Sequence, residues 1–237
     1  MRFILVLLVL IDQITIGIEC AIFLFVMVRF SSLAYTYDAV NWKPLAFPDG
    51  QSTPALPLLI TGPSGAGKST LLHLIAGILR PVSGEVLVNG QNLSNMGQQR
   101  LDRFRGREIG LILQNAHFFP ALSVMDNLLL APYFNGRKVD KSLVLDLAAR
   151  LHIKHLLHQR VTRISVGEQQ RVCIARALVN EPSVLLADEP TSSLDDENCQ
   201  AVLQLLMEQA QLSNASLVVV THDNRLKSAF SNMIQLS

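Results

Sequence analysis

Cysteine is scarce in this chain. Cys20, Cys173 and Cys199 are odd in number and widely spaced, with no CxxC pair and no histidine beside them at metal-ligand spacing. That pattern gives no disulfide framework, argues against a zinc site and fits buried thiols in a reducing compartment. Charge of one sign is lacking as well: 20 Lys and Arg stand against 19 Asp and Glu, a formal net charge of +1. Such a balance supplies neither a polyanion-binding surface nor a disordered acidic tail, so no nucleic acid is expected as a partner. What is left, 49% hydrophobic and 16% charged residues over 237 positions, is the composition of a globular α/β protein with one sizeable core and an appendage.

The appendage is the segment poorest in charge. Residues 1–28 are almost entirely apolar, interrupted only by Arg2, Asp12, Gln13 and Glu19. A membrane span needs roughly 20 apolar residues. Inside hydrocarbon, Asp12 and Glu19 would each cost about 2.5–3.5 kcal/mol near the bilayer centre. Three readings are open: a transmembrane or interfacial helix, a signal peptide, and upstream sequence outside the functional domain. The absence of a small-residue cleavage site disfavours the signal peptide. Period-2 alternation from Met27 to Tyr37 predicts a strand that begins at a methionine, which supports the third reading, with translation starting at Met27. The expected division is an apolar leader over residues 1–26 and a functional domain over residues 27–237.

Within that domain three apolar runs end in polar chemistry. Residues 58–79 pass from a short strand through a glycine-rich turn into a helix with Leu71, Leu72, Ile75 and Leu79 at helical spacing. The turn, Gly62-Pro63-Ser64-Gly65-Ala66-Gly67-Lys68-Ser69, followed by Thr70, fits GxxxxGK[ST] at every position. Glycines let backbone N–H groups curl around phosphates, and the following helix N-terminus favours anions. Lys68 is placed to reach the β and γ phosphates, and the Ser69 hydroxyl to ligate Mg²⁺.

The second run, Val184–Ala187, reads as a buried parallel strand that delivers Asp188 and Glu189 at its tip. Two carboxylates there call for a cation and a reacting water: Asp188 for Mg²⁺, Glu189 to polarise the water. The third run, residues 217–222, ends on His222 at the same sheet edge, where ligands of open α/β sheets bind.

Taken together, these motifs resemble the nucleotide-binding subunit of ATP-binding cassette (ABC) transporters over about residues 27–237. The resemblance implies an α/β P-loop NTPase fold with a mostly parallel core sheet, a small antiparallel β region and an α-helical subdomain over about residues 115–165. It implies ATP and Mg²⁺ as cofactors, and it assigns roles residue by residue. Tyr37, with Tyr35 as fallback, would stack on adenine; Gln114 would sense Mg²⁺ and the attacking water beside the membrane-subunit contact. His222 would contact the γ-phosphate, and Asp195, in Ser192-Ser193-Leu194-Asp195, would cross to a partner subunit. Ser193 stands where many members have Ala.

The stretch Ile164-Ser165-Val166-Gly167-Glu168 corresponds to the family signature LSGGQ or LSGGE, which in this family closes over ATP held by the other subunit. Ser165, Gly167 and Glu168 match it; Ile164 replaces Leu, and Val166 replaces the first Gly. A β-branched residue is costly at positive φ and is bulky beside a phosphate, so Val166 is expected to weaken closure in a homodimer. In a heterodimer one weak site is tolerable.

The implied assembly is a homo- or heterodimer of ABC subunits, peripheral on the cytoplasmic face of the inner membrane and bound to integral-membrane permeases. Residues 90–132 resemble the branch that includes lipoprotein-releasing, macrolide and peptide export, and cell-division ATPases. The chain ends at Ser237, soon after His222, without the C-terminal regulatory domain of many importers, and export or mechanical transmission is the expectation. Two rivals differ in class. A non-transport ABC ATPase, acting on DNA or ribosomes, would bring long coiled coils, a zinc hook or a duplicated cassette, none of which the sequence contains. A degenerate regulatory cassette is motivated by Val166 and opposed by the retention of Lys68, Asp188, Glu189 and His222.

Overall fold

The computed structural model describes residues 27–37, 44–136, 140–192 and 194–237. The expected leader, residues 1–26, and Ser193 lie outside the described residues.

Two sheets form. The first is antiparallel and joins β1 (Val28–Tyr35), β2 (Leu45–Ala46), β3 (Gly50–Ser52), β5 (Ser83–Val88) and β6 (Gln91–Asn92), with β1 at its centre. In β1 the alternation predicted from sequence buries Val28 and Phe30 and then breaks. Ser32 takes a positive φ of 52, and the register with β5 shifts between Ser31 and Ala34. The irregularity returns Leu33 to the core side.

The second sheet is wholly parallel, in the order β10-β4-β9-β8-β7, from β4 (Leu58–Thr61), β7 (Ile109–Ile112), β8 (Val184–Asp188), β9 (Ser216–Thr221) and β10 (Asn232–Gln235). Every residue of β4, β8 and β9 is buried. These strands therefore read as continuous apolar runs rather than alternating ones.

Their side chains still divide by parity between the two faces. Leu58, Ile60, Val184, Leu186, Val218 and Val220 enter one core, together with Leu71, Leu72 and Ile75 of α1 (Lys68–Ile75) and Leu101 of α2 (Gln98–Glu108). Leu59, Leu185, Ala187, Leu217 and Val219 enter the other. That face carries α3 (Val124–Phe134), α4 (Lys141–Arg150), α5 (Val166–Leu178) and α6 (Asp196–Leu212). Each fully buried Leu or Val contributes about 1.5–3 kcal/mol relative to exposure, so the sheet is held from both sides.

The helix after β4 is shorter than its apolar spacing predicts. It ends at Ile75, and Gly77, at φ 65, turns the chain so that Leu79 packs on the core from outside the helix. Between Gln114 and Ser165 the chain forms α3 and α4, with single 3-10 turns at Lys154–Leu156 and Val161–Arg163. Among the described residues no helix is long and apolar enough to cross a membrane.

Candidate active site

Strand order brings the three sequence-distant tips together. β9 lies between β4 and β8, with Thr61 opposite Thr221 and Asp188 opposite Val220. The loop after β4, Asp188 with Glu189, and His222 thus emerge side by side at the carboxyl edge of the sheet.

The loop Gly62–Lys68 is built for close approach. Gly65 and Gly67 hold φ of 85 and 87, where side-chain-bearing residues are strained. A Cβ on Gly62 would lie 2.8 Å from the Leu236 carbonyl oxygen. Pro63, Ser64 and Gly65 are exposed, and the Ala66 N–H donates to the Pro63 carbonyl at 3.2 Å. Gly67 precedes α1, so the first N–H groups of that helix open into the loop. Lys68 is only 7% exposed; its ammonium donates to the Gly62 and Pro63 carbonyls at 3.0 and 2.9 Å and lies 3.7 Å from Glu189 Oε1. A positive charge is held against two backbone carbonyl dipoles.

Ser69 Oγ donates to Asp188 Oδ1 at 3.1 Å. Burial holds the Asp188 carboxyl above its usual range, and the Ser69 hydrogen bond opposes that rise. A buried carboxylate beside a hydroxyl is a hard oxygen pair that a divalent cation would stabilise, and it fits Mg²⁺, which is held by few protein ligands together with phosphate. No group of three or more His, Cys, Asp or Glu among the described residues forms an all-protein metal cage.

Glu189 sits at φ 49, a left-handed conformation that costs a non-glycine residue about 1–2 kcal/mol. Its N–H still donates to the Val220 carbonyl at 2.9 Å, extending the ladder past β8. The carboxylate is fixed on both oxygens. Oε2 accepts from Thr221 Oγ1 at 2.8 Å, and Oε1 accepts from the His222 N–H at 3.1 Å. His222 Nδ1 lies 2.9 Å from Oε1, which assigns its proton to Nδ1 and turns Nε2 outward from an exposed ring.

Gln114 is exposed just beyond β7 and donates to Ser192 Oγ at 3.3 Å. It lines a cleft with Val166, Gln170, Cys173 and Glu189. Tyr37 is 70% exposed; its hydroxyl lies 2.6 Å from Thr70 Oγ1 and its ring meets Tyr35 edge-on at 4.9 Å. An aromatic face is thereby anchored to the helix that follows the phosphate loop.

Ser165 caps α5. Its hydroxyl accepts from the Glu168 N–H at 3.3 Å, and Glu168 Oε2 accepts from the Ser165 N–H at 2.7 Å, a reciprocal capping box. The Ser165 N–H and hydroxyl hold the Glu168 carboxyl below its usual range. Asp195 caps α6, accepting from the Asn198 N–H at 2.9 Å. Ser165, Gly167, Glu168 and Asp195 line one groove, and no residue of Gly62–Thr70 lines it.

One expectation is overturned here. Val166 is the first residue of α5 and is not among the residues with positive φ, and neither is Gly167. The backbone argument against Val166 therefore fails. Its bulk remains, because the side chain is 68% exposed at the helix tip.

Sequence reasoning missed Thr221, which donates to Glu189, and Thr191, Asp223 and Arg225, which are linked to Thr221 by further hydrogen bonds. Thr221 was findable, as the last residue of a buried strand next to the strand bearing Glu189. Arg225 was not, because its bonds to Leu194 and Asp196 reach a loop 31 and 29 positions away, although its carboxylate partner Asp223 is two residues off.

With this geometry established, the family follows from comparison. The family model described as ABC transporter matches residues 54–192. The chain belongs to the ABC transporter family. It resembles the lipoprotein-releasing system ATP-binding protein LolD of Xanthomonas axonopodis pv. citri, 35% identical over 215 residues that cover 89% of this chain and 88% of that protein. Among solved structures it is similar to the ATP-binding cassette MJ0796 in a dimeric post-hydrolysis state bound to ADP and Pi. That match has a TM-score of 0.77 and 28% identity, and covers 89% of this chain and 94% of the other. It is also similar to cbiO1 of Clostridium perfringens, part of the ABC transporter complex cbiONQ, with a TM-score of 0.80 and 26% identity over 90% of this chain and 85% of that one. This ABC protein binds nucleotide and is an ATP-hydrolysing subunit of a membrane transporter.

Proposed function

We propose that ATP is hydrolysed at the shared edge of β4, β9 and β8 and that the work is delivered to an integral-membrane permease. The supporting observation is the convergence of Lys68, Ser69, Asp188, Glu189 and His222 on one edge from three separate stretches of chain. Backbone N–H groups of Gly62–Ser69 cradle the phosphates, and Lys68 exchanges the Gly62 and Pro63 carbonyls for phosphate oxygens. Tyr37 offers its ring to adenine. Ser69, Asp188 and Gln114 would hold Mg²⁺, which when bound neutralises phosphate charge and orients the terminal phosphate. Glu189, fixed by Thr221 and His222, accepts a proton from the attacking water, and His222 Nε2 faces the γ-phosphate.

In this reading two ABC subunits pair head to tail. Ser165, Gly167 and Glu168 of each close over the nucleotide of the other, and Asp195 crosses at the same boundary. The dimer is peripheral on the cytoplasmic face of the inner membrane. Likeness to LolD supports export or release of a lipoprotein or peptide as the work done. The test reconstitutes the chain with its cognate permease in lipid vesicles loaded with a lipoprotein. ATP hydrolysis should rise on reconstitution and release should require ATP and Lys68; equal hydrolysis with and without permease contradicts the coupling.

A further inference from the structure

The segment after His222 is tied to the segment after Glu189 by one guanidinium. Arg225 Nε donates to both oxygens of Asp223, at 2.9 and 3.0 Å, and Nη2 donates to Asp223 Oδ2 at 2.7 Å. The same group reaches across to the other loop, Nη2 donating to the Leu194 carbonyl at 3.2 Å and Nη1 to Asp196. Asp223 Oδ2 also accepts from the fully buried Thr191 hydroxyl at 3.2 Å, and its N–H donates to Thr221 Oγ1 at 3.0 Å. Thr221 in turn donates to Glu189. A continuous polar chain runs from Glu189 through Thr221 and Asp223 to Arg225, and from there to Leu194 and Asp196 on either side of Asp195.

The two arms of this clamp differ in kind. Asp223 is 9% exposed, and the fork of Arg225 compensates its desolvation. Asp196 is 88% exposed, and a solvent-facing pair of that sort adds little to stability. An arm with little stabilising value that nevertheless fixes one loop against another is suited to positioning.

We propose that Arg225 is a positioning residue that holds the His222 loop and the Asp195 loop as one unit, so that Glu189 and His222 keep their geometry when the dimer-facing loop moves. The inference rests on the catalytic reading of Glu189 and His222. A guanidinium suits this because its donors lie on three nitrogens that reach Asp223, Leu194 and Asp196 at once, whereas an ammonium offers three donors on a single nitrogen.

The experiment compares wild type, Asp196→Asn, Arg225→Lys and Glu189→Gln in the permease-reconstituted assembly, measuring kcat, KM for ATP, affinity for a fluorescent ATP analogue and Tm. Asp196→Asn should lower kcat about fivefold or more at unchanged Tm and unchanged nucleotide affinity. Arg225→Lys should lower it at least as far despite retaining the charge. Wild-type kcat in Asp196→Asn, or losses of kcat that only follow losses of Tm, overturn the inference. A large loss in Glu189→Gln beside wild-type kcat in Asp196→Asn overturns it alone. Retained turnover in Glu189→Gln overturns the site reading beneath it.

Discussion

The Ser69 hydroxyl donates to Asp188 Oδ1 across 3.1 Å, joining residues 119 positions apart. One belongs to the first turn of α1 and the other to the last position of β8, so only the strand order β4-β9-β8 makes the pair. Burial outweighs both the Ser69 hydrogen bond and the more distant charges of His73 and Lys68, so the carboxylate is held there at a cost to the fold, which a bound cation would offset.

Asp188→Asn is therefore expected to leave Tm unchanged or raise it in the absence of divalent cations, while abolishing the extra thermal stabilisation that Mg²⁺ adds to ATP in wild type. Thermal unfolding with ATP, with and without Mg²⁺, checks both halves. A variant that loses stability without cations yet keeps the Mg²⁺ increment contradicts this role.

Val166 separates two physical causes. With helical backbone at the tip of α5, its effect on closure reduces to side-chain bulk. Val166→Ala and Val166→Gly should raise the ATPase rate of the assembled complex alike, although the Gly variant gives up about 0.4 kcal/mol of helix propensity. Had positive φ been the obstacle, Ala would behave like Val. An unchanged or lower rate in both variants contradicts the bulk argument.

Asp223 provides a pH signature. Hydrogen bonds from the Arg225 side chain pull its carboxyl down to about 2. A carboxyl depressed in the folded state stabilises above its unfolded value, about 3.9, and that contribution is lost as pH falls toward 2. The stability difference between wild type and Asp223→Asn, from urea unfolding, should be constant above about pH 5 and roughly halved by pH 3. An identical difference at pH 6 and pH 3 contradicts the pairing.

Much of this site was legible in the sequence because its signals are local. The loop Gly62–Ser69 carries its chemistry in consecutive residues, and the tips of β8 and β9 announce themselves as polar residues ending apolar runs. The parallel core was equally readable, since strands buried on both faces leave no alternation. Three features were not. The φ of Val166 depends on where α5 begins, and the capping box of Ser165 and Glu168 makes Ser165 the N-cap and Val166 the first helical residue. The pairing of Gln114 with Ser192 and the clamp of Arg225 on Asp196 join segments 78 and 29 positions apart. Such partners are set by sheet order, which spacing along the chain does not encode.

Glu189, held at positive φ with its carboxylate fixed by Thr221 and His222, is the group proposed above to take the proton from water. The most direct test is single-turnover hydrolysis of Mg-ATP by Glu189→Gln, with dimer formation followed by size-exclusion chromatography. Nucleotide affinity should stay close to wild type, the hydrolysis rate should fall by about 10²-fold or more, and the variant should form an ATP-retaining closed dimer. Hydrolysis at the wild-type rate in a folded, nucleotide-binding Glu189→Gln protein would contradict that role.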